Sequence, residues 1–323
     1  MKPAPADAAE TDAPSLAARL VPQINEACGG RLQNIVWFRT DWQRGGAATA
    51  RAMLASDGRA PQPVVIKLPV VQREYVRTRR MQNSDDADPI VPRLLAGDET
   101  LGGYDLAWLV IECLPHGPLG MKWHDNHVGR IAEAAARFSQ AAAAFPVDRD
   151  PRIEDWDSLV TQSIAALREN SVADISRWSR AIKLLRSRLS DLVAEWRARP
   201  VTEWLHGDLH IANAMSRHSM EHGPVTLIDL AEVRPGHWIE DAVYLERLLW
   251  ASPQRMAGQK PVKAIAEARK RLGIPVESNY PRLAMIRRAL LTATAGRFLK
   301  SEGSPPYLAA CLDRLETALH ELK

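Results

Sequence analysis

The stretch 204-WLHGDLHIANAM-215, followed by 225-VTLID-229 and 234-RPGHWIEDAVYL-245, decides how this chain is read. In the first piece a loop carboxylate, Asp208, precedes an amide side chain, Asn213, by five residues. In the second, a short apolar run reads as a strand and ends in Asp229, a rigid place from which to present a carboxylate. In the third, Gly236 and Asp241 stand in G-x-x-x-x-D spacing. An HGD tripeptide alone is compatible with an ordinary turn. HGDxxxxN followed sixteen residues after the Asn by a strand-ending Asp is much more specific.

Outward from that core, the texture differs on the two sides. Residues 16–28 carry apolar positions at helical spacing and stop at Gly29-Gly30. From Ile35, the runs IVWFRTDW, ATARAMLAS and PVVIKLPV are separated by Arg44-Gly45-Gly46 and Asp57-Gly58-Arg59, which predicts two successive hairpins. A helix is expected over 71–82 and two more strands near 93–99 and 107–114. Beyond His116-Gly117-Pro118, the spacing predicts helices over 124–145, 157–169, 175–198, 239–251, 261–272, 281–300 and 306–322. The fold class expected is therefore α+β: a small antiparallel β-sheet part with one main helix over residues 16–115, and a larger, mostly helical part over 116–323. Residues 1–15, rich in Pro, Ala and Asp, read as a disordered leader and not as a secretory signal.

Composition narrows the function classes. The 323 residues carry 42 Lys/Arg against 39 Asp/Glu, and no basic run stands out, so no nucleic-acid partner is expected. Cys28, Cys113 and Cys311 are far apart and form no CxxC pair, which fits reduced thiols in a cytoplasmic protein. No apolar stretch of about 18 uncharged residues is present, so no membrane span is expected.

Phosphoryl transfer needs a carboxylate to orient the acceptor hydroxyl, magnesium on oxygen ligands and a cation for the other phosphates. The sequence offers a part for each task. Asp208 and Asn213 share one loop, and Asp229 ends a strand. Lys67 lies on VVIKL, Glu74 on the following helix is placed to pair with it, and Gly45-Gly46 lie in a turn where the backbone can approach phosphates.

These residues resemble the aminoglycoside phosphotransferase and choline kinase superfamily, the small-molecule branch of the protein-kinase-like fold. The family's H-G-D-x-x-x-x-N is here His206 to Asn213, its I-D is Ile228-Asp229, and its later G-x-x-x-x-D is Gly236 to Asp241. The resemblance implies a bilobal fold that takes ATP and Mg2+ between its lobes. Asp208 would be the catalytic base, Asn213 and Asp229 the metal ligands, and Lys67, supported by Glu74, the phosphate-binding cation. Residues Glu112 to Leu114 would be the hinge whose backbone meets adenine, and His206 and Asp241 would support the loop. Two features depart from the family pattern. Lys67 and Glu74 are only seven residues apart, and Ala47-Ala48-Thr49 stands where a polar, asparagine-containing stretch often occurs.

Other readings stand beside this one. Lys67 has a plain reading as a solvent-facing strand residue, Glu74 as one charge on an Arg-rich helix, and Gly45-Gly46 as a hairpin turn alone. His206, Asp208 and His210 form an H-x-D-x-H set, the pattern of a metal-dependent hydrolase, which leaves Asn213, Asp229 and Lys67 without a role. A non-catalytic nucleotide-binding relative is a further alternative. For the kinase, the acceptor is a hydroxyl-bearing small molecule. From residue 252 onward the chain has 13 Lys/Arg against 6 Asp/Glu, a balance of +7, which disfavours a polycationic aminoglycoside and suits a sugar, amino-sugar derivative or similar metabolite.

Overall fold

Strict alternation along Val64, Val65, Ile66, Lys67 and Leu68 sets the orientation of everything in the N-terminal region. Val64, Ile66 and Leu68 are fully buried on one face, so Lys67 turns to the other. The computed structural model describes residues 17–38, 47–56, 58–82, 88–147 and 153–323. These fall into two compact units. The first takes the described residues up to His116 together with Met215–Ser219 and Thr226–Glu232, and the second takes Gly117–Ala214, Met220–Val225 and Val233–Lys323.

In the first unit a short helix α1 (Val21–Ala27) precedes strands β1 (Leu32–Phe38), β2 (Ala48–Ser56) and β3 (Arg59–Val70). Helix α2 (Gln72–Arg80) and strands β4 (Leu94–Asp98) and β5 (Ala107–Glu112) follow. The five strands form one antiparallel sheet in the order β1-β2-β3-β5-β4. Gly58, at φ +71°, supplies the left-handed residue that closes β2 onto β3. Ile24, Leu54, Ile66, Trp108 and Val110 pack into the core under one sheet face. Val70, Tyr75, Ala107 and Leu109 pack on the other, beneath α2. Burial of these side chains, at about 25 cal/mol per Å2 of apolar surface, is what holds the sheet against its two helices.

The second unit is mostly helical: α3 (His127–Ala142), α4 (Trp156–Glu169), α5 (Ile175–Arg186), α6 (Leu189–Arg197), α7 (Ile239–Arg247), α8 (Pro261–Arg271), α9 (Tyr280–Ala293) and α10 (Pro305–Glu321). Between α6 and α7 in sequence the chain forms four three-residue strands, β6 (Glu203–Leu205), β7 (Ala214–Ser216), β8 (Val225–Leu227) and β9 (Arg234–Gly236); β6 pairs with β9 in this unit, whereas most of β7 and β8, which pair with each other, belongs to the first.

The α+β expectation holds, and the differences are local. The helix expected over 175–198 is two helices. It breaks at Ser187-Arg188, where the Ser187 hydroxyl donates to the Leu184 carbonyl at 2.8 Å and competes with the helical ladder. The helix expected over 281–300 ends at Ala293, followed by a short tight turn at Ala295–Phe298. There Gly296 lies so close to α4 that a Cβ would meet the Ser163 carbonyl oxygen at 2.5 Å. The first strand begins at Leu32, three residues before the expected start. No helix among the described residues is long and apolar enough to cross a membrane.

Candidate active site

In the first unit the short gap between Lys67 and Glu74 has a structural cause. Strand β3 ends at Val70, α2 starts at Gln72, and Glu74 falls in its first turn. The helix therefore begins while it is still over the strand, and seven residues suffice for the two side chains to meet. Lys67 Nζ is ion-paired with Glu74 Oε1 and lies 3.3 Å from Asp229 Oδ1. Glu74 is buried, whereas the Asp229 side chain keeps 45% of its exposure. Burial pulls the Lys67 ammonium down, but Glu74 and Asp229 outweigh it and hold its pKa above the usual lysine value. Asp229 itself sits at φ +66°, a left-handed conformation rare for a residue other than glycine. Helix α2 grips the segment just beyond it. Arg73 donates to the Ala231 carbonyl at 2.9 Å and pairs with Glu232 at 3.2 Å.

The segment from Glu112 to Leu114 divides its labour. The Glu112 carboxylate accepts from Arg217 and from the Arg93 amide. The amides of Glu112 and Cys113 donate to the carbonyls of Arg93 and Pro63. The amide of Leu114 has no backbone acceptor among the described residues. Gly45 and Gly46 lie outside the described residues.

In the second unit the loop after β6 is shaped by Asp241. Its two oxygens accept from the amides of His206 at 2.8 Å and Gly207 at 2.9 Å, and Gly207 adopts φ +80°. Asp241 is brought there by α7, whose approach requires Gly236. A Cβ on Gly236 would meet Leu205 Cδ1 at 2.2 Å and Glu240 Oε1 at 2.9 Å. Beside it Glu240 is buried between Arg199, at 2.8 Å, and Arg234, at 2.9 Å. Burial pushes the Glu240 carboxyl up, but the guanidinium groups of Arg234, Arg287 and Arg199 outweigh it and bring it down to about 2.

The loop so held displays Asp208 with both oxygens engaged. Oδ1 accepts from the Tyr244 hydroxyl at 2.7 Å. Oδ2 accepts from Asn213 Nδ2 at 2.9 Å and lies 3.2 Å from His210 Nε2. His210 Nδ1 accepts the Ala212 amide at 3.0 Å, so the ring proton is on Nε2, facing Asp208. Burial raises the Asp208 carboxyl, yet His210 and Tyr244 outweigh it and lower its pKa to about 2. Because Asn213 turns its NH2 group to Asp208, its amide oxygen is directed elsewhere.

The structure thus groups Lys67, Glu74 and Asp229 in the first unit, and Asp208, Asn213, His206 and Asp241 in the second. Sequence reasoning missed Tyr244 as a partner of Asp208. The available signal was its i+3 spacing from Asp241, which puts both on the face of α7 turned to the loop. The H-x-D-x-H set is not a metal cluster. His206 Nδ1 accepts the Asp208 amide at 3.3 Å, and the described residues contain no group of three His, Cys, Asp or Glu placed to hold an ion.

Comparison with known proteins gives these motifs a context. No curated protein matches the chain. Among solved structures, it is similar to a choline/ethanolamine kinase family protein from Mesorhizobium loti (TM-score 0.57, 13% identity, 96% of each chain covered). It is also similar to the amicoumacin kinase hAmiN, solved with AMP-PNP, Ca2+ and Ami (TM-score 0.54, 12% identity, 96% of this chain and 99% of that one). A third is spectinomycin phosphotransferase, solved with ADP and its antibiotic (TM-score 0.54, 11% identity, 93% of this chain and 98% of that one). At such identities the likeness speaks for the fold, which is the protein-kinase-like one. The family assignment comes from sequence: residues 29–285 match the model of the phosphotransferase enzyme family, and the chain belongs to that family.

Proposed function

We propose that this phosphotransferase moves the γ-phosphoryl group of ATP to a hydroxyl of a small molecule, with Asp208 as base, Lys67 on the nucleotide phosphates and Mg2+ as cofactor. The observation that carries the reading is the Asp208 carboxylate, held ionised at the tip of a loop that Asp241 fixes through two backbone amides.

The donor set fits magnesium. A carboxylate on Asp229 and an amide oxygen on Asn213 are hard oxygen ligands, and the Asn213 oxygen is turned away from Asp208. When bound, the ion supplies positive charge that offsets the charge spread over the phosphate oxygens. The protein's own residues do the rest. Lys67, kept charged by Glu74 and Asp229, adds a second fixed cation. Asp208 orients the acceptor hydroxyl and receives its proton. With a pKa near 2 it is a weak base, so its larger contribution is orientation, and proton transfer comes late, once the new P–O bond is forming. Glu112 and Leu114 would meet adenine through the backbone, since the Glu112 carboxylate is committed to Arg217 and Arg93.

The acceptor we favour is neutral or anionic, a sugar, amino-sugar derivative or similar metabolite, given the basic C-terminal region. A magnesium-dependent ATP-consumption screen over sugars, amino alcohols, amino acids and aminoglycosides tests this, with Asp208→Ala as control. A hit lost in the variant supports the assignment. Full activity in Asp208→Ala would mean that the base is another residue.

A further inference from the structure

Three donors meet Asp208, and they differ in origin. Asn213 and His210 belong to its own loop and both address Oδ2. The Tyr244 hydroxyl comes from α7 and is the donor on Oδ1, at 2.7 Å. The Tyr244 ring is only partly exposed, and the Arg247 guanidinium lies over it, 5.0 Å from its centroid. The tyrosine O–H is aimed at the carboxylate.

An acceptor poised for transfer has to make that same bond, an O–H donating to Asp208. A water molecule in its place would also be a competent nucleophile. Its oxygen would bond to the γ-phosphorus, the bond from phosphorus to the β–γ bridging oxygen would break, and the water proton would pass to Asp208. ADP and inorganic phosphate would then be the products. We propose that Tyr244 is a positioning residue that stands in for the acceptor's hydroxyl on Asp208 Oδ1 until the acceptor displaces it, and so suppresses transfer to water. The inference rests on Asp208 being the base. It adds a specificity role, acceptor over water, to a residue outside the motif.

The test needs no knowledge of the acceptor. Phosphate release from Mg-ATP alone is measured for the wild type, Tyr244→Phe, Asp208→Ala and the double variant, with thermal midpoints recorded for each. Tyr244→Phe should raise acceptor-free hydrolysis about tenfold, the scale of one net hydrogen bond, at an unchanged midpoint. Adding Asp208→Ala should abolish the gain. As a second route, Tyr244→Ala should hydrolyse ATP faster, and phenol added to the solution should slow it where benzene does not. Hydrolysis by folded Tyr244→Phe at or below the wild-type rate overturns the proposal. So does a phosphate found on Tyr244 by mass spectrometry, which would make the phenol an acceptor and not a placeholder. A gain that persists in the double variant would instead remove Asp208 as base, and with it the reading beneath.

Discussion

At the scale of single residues, the candidate site is a matter of which atoms are already engaged. Asp208 is oriented by three side chains, so replacing its carboxylate by an amide should leave the loop standing while removing the proposed proton acceptor. Asp208→Asn is expected to lower kcat roughly a thousandfold while the apparent affinity for ATP changes little, as steady-state kinetics with any working acceptor will show. Lys67 is different, because its partner Glu74 is buried. Lys67→Met would strand the buried Glu74 carboxylate on α2 and should cost about 3 kcal/mol of stability in addition to raising KM for ATP. Glu74→Gln keeps the volume and one acceptor oxygen, so its main effect should be a several-fold rise in KM. Equal stability losses in denaturant titrations of the two variants would contradict the buried pairing.

At the scale of elements, α7 is the piece that joins the loop to the rest of its unit. Its first turn carries Glu240, clasped by Arg199 and Arg234, and Asp241, which holds the loop amides. The Glu240 pKa is about 2 in the fold against an ordinary glutamate value of 4.5. The lowered folded value means that the unfolded chain binds its proton first as pH falls. This stabilisation is therefore complete above about pH 4.5 and is lost between there and about pH 2. Glu240→Gln should lower stability at neutral pH by about 3–5 kcal/mol, since two guanidinium groups lose their buried partner. It should also flatten the acid limb of stability against pH in that window; a limb as steep as the wild type's would place the acid-sensitive group elsewhere. The approach of Gly296 to α4 gives a purely steric counterpart. Gly296→Ala must push against the Ser163 carbonyl and Leu167, at 2.5 and 2.6 Å from the new Cβ. It should cost about 1–3 kcal/mol, read from urea midpoints, with kcat unaffected.

For the whole molecule, the measurable consequence of the proposed chemistry is linkage. A ligand that binds only the folded chain stabilises it by about 2.7 kcal/mol at a hundredfold excess over its Kd. Mg-ATP should therefore raise the thermal midpoint by several degrees, and chelating the magnesium should remove most of that rise. Lys67→Ala should abolish it even at saturating metal. Nucleotide without any effect on the midpoint at millimolar concentration would sink the kinase reading.

The sequence by itself determined the fold class and the family motifs, because both are written in short-range patterns. Period-two alternation marked the face of β3 that carries Lys67, helical spacing marked the C-terminal helices, and HGDxxxxN with Ile228-Asp229 and Gly236 to Asp241 marked the family. Tertiary structure decided the rest. The placement of β5 between β3 and β4, the clasp of Glu240 by Arg199 and Arg234, and the Tyr244 hydroxyl on Asp208 join residues that are not neighbours in the pattern. Local propensity fixes where a side chain points from its own element. Which partner it meets is set by how elements pack, and packing energies are summed over contacts that no window of sequence contains.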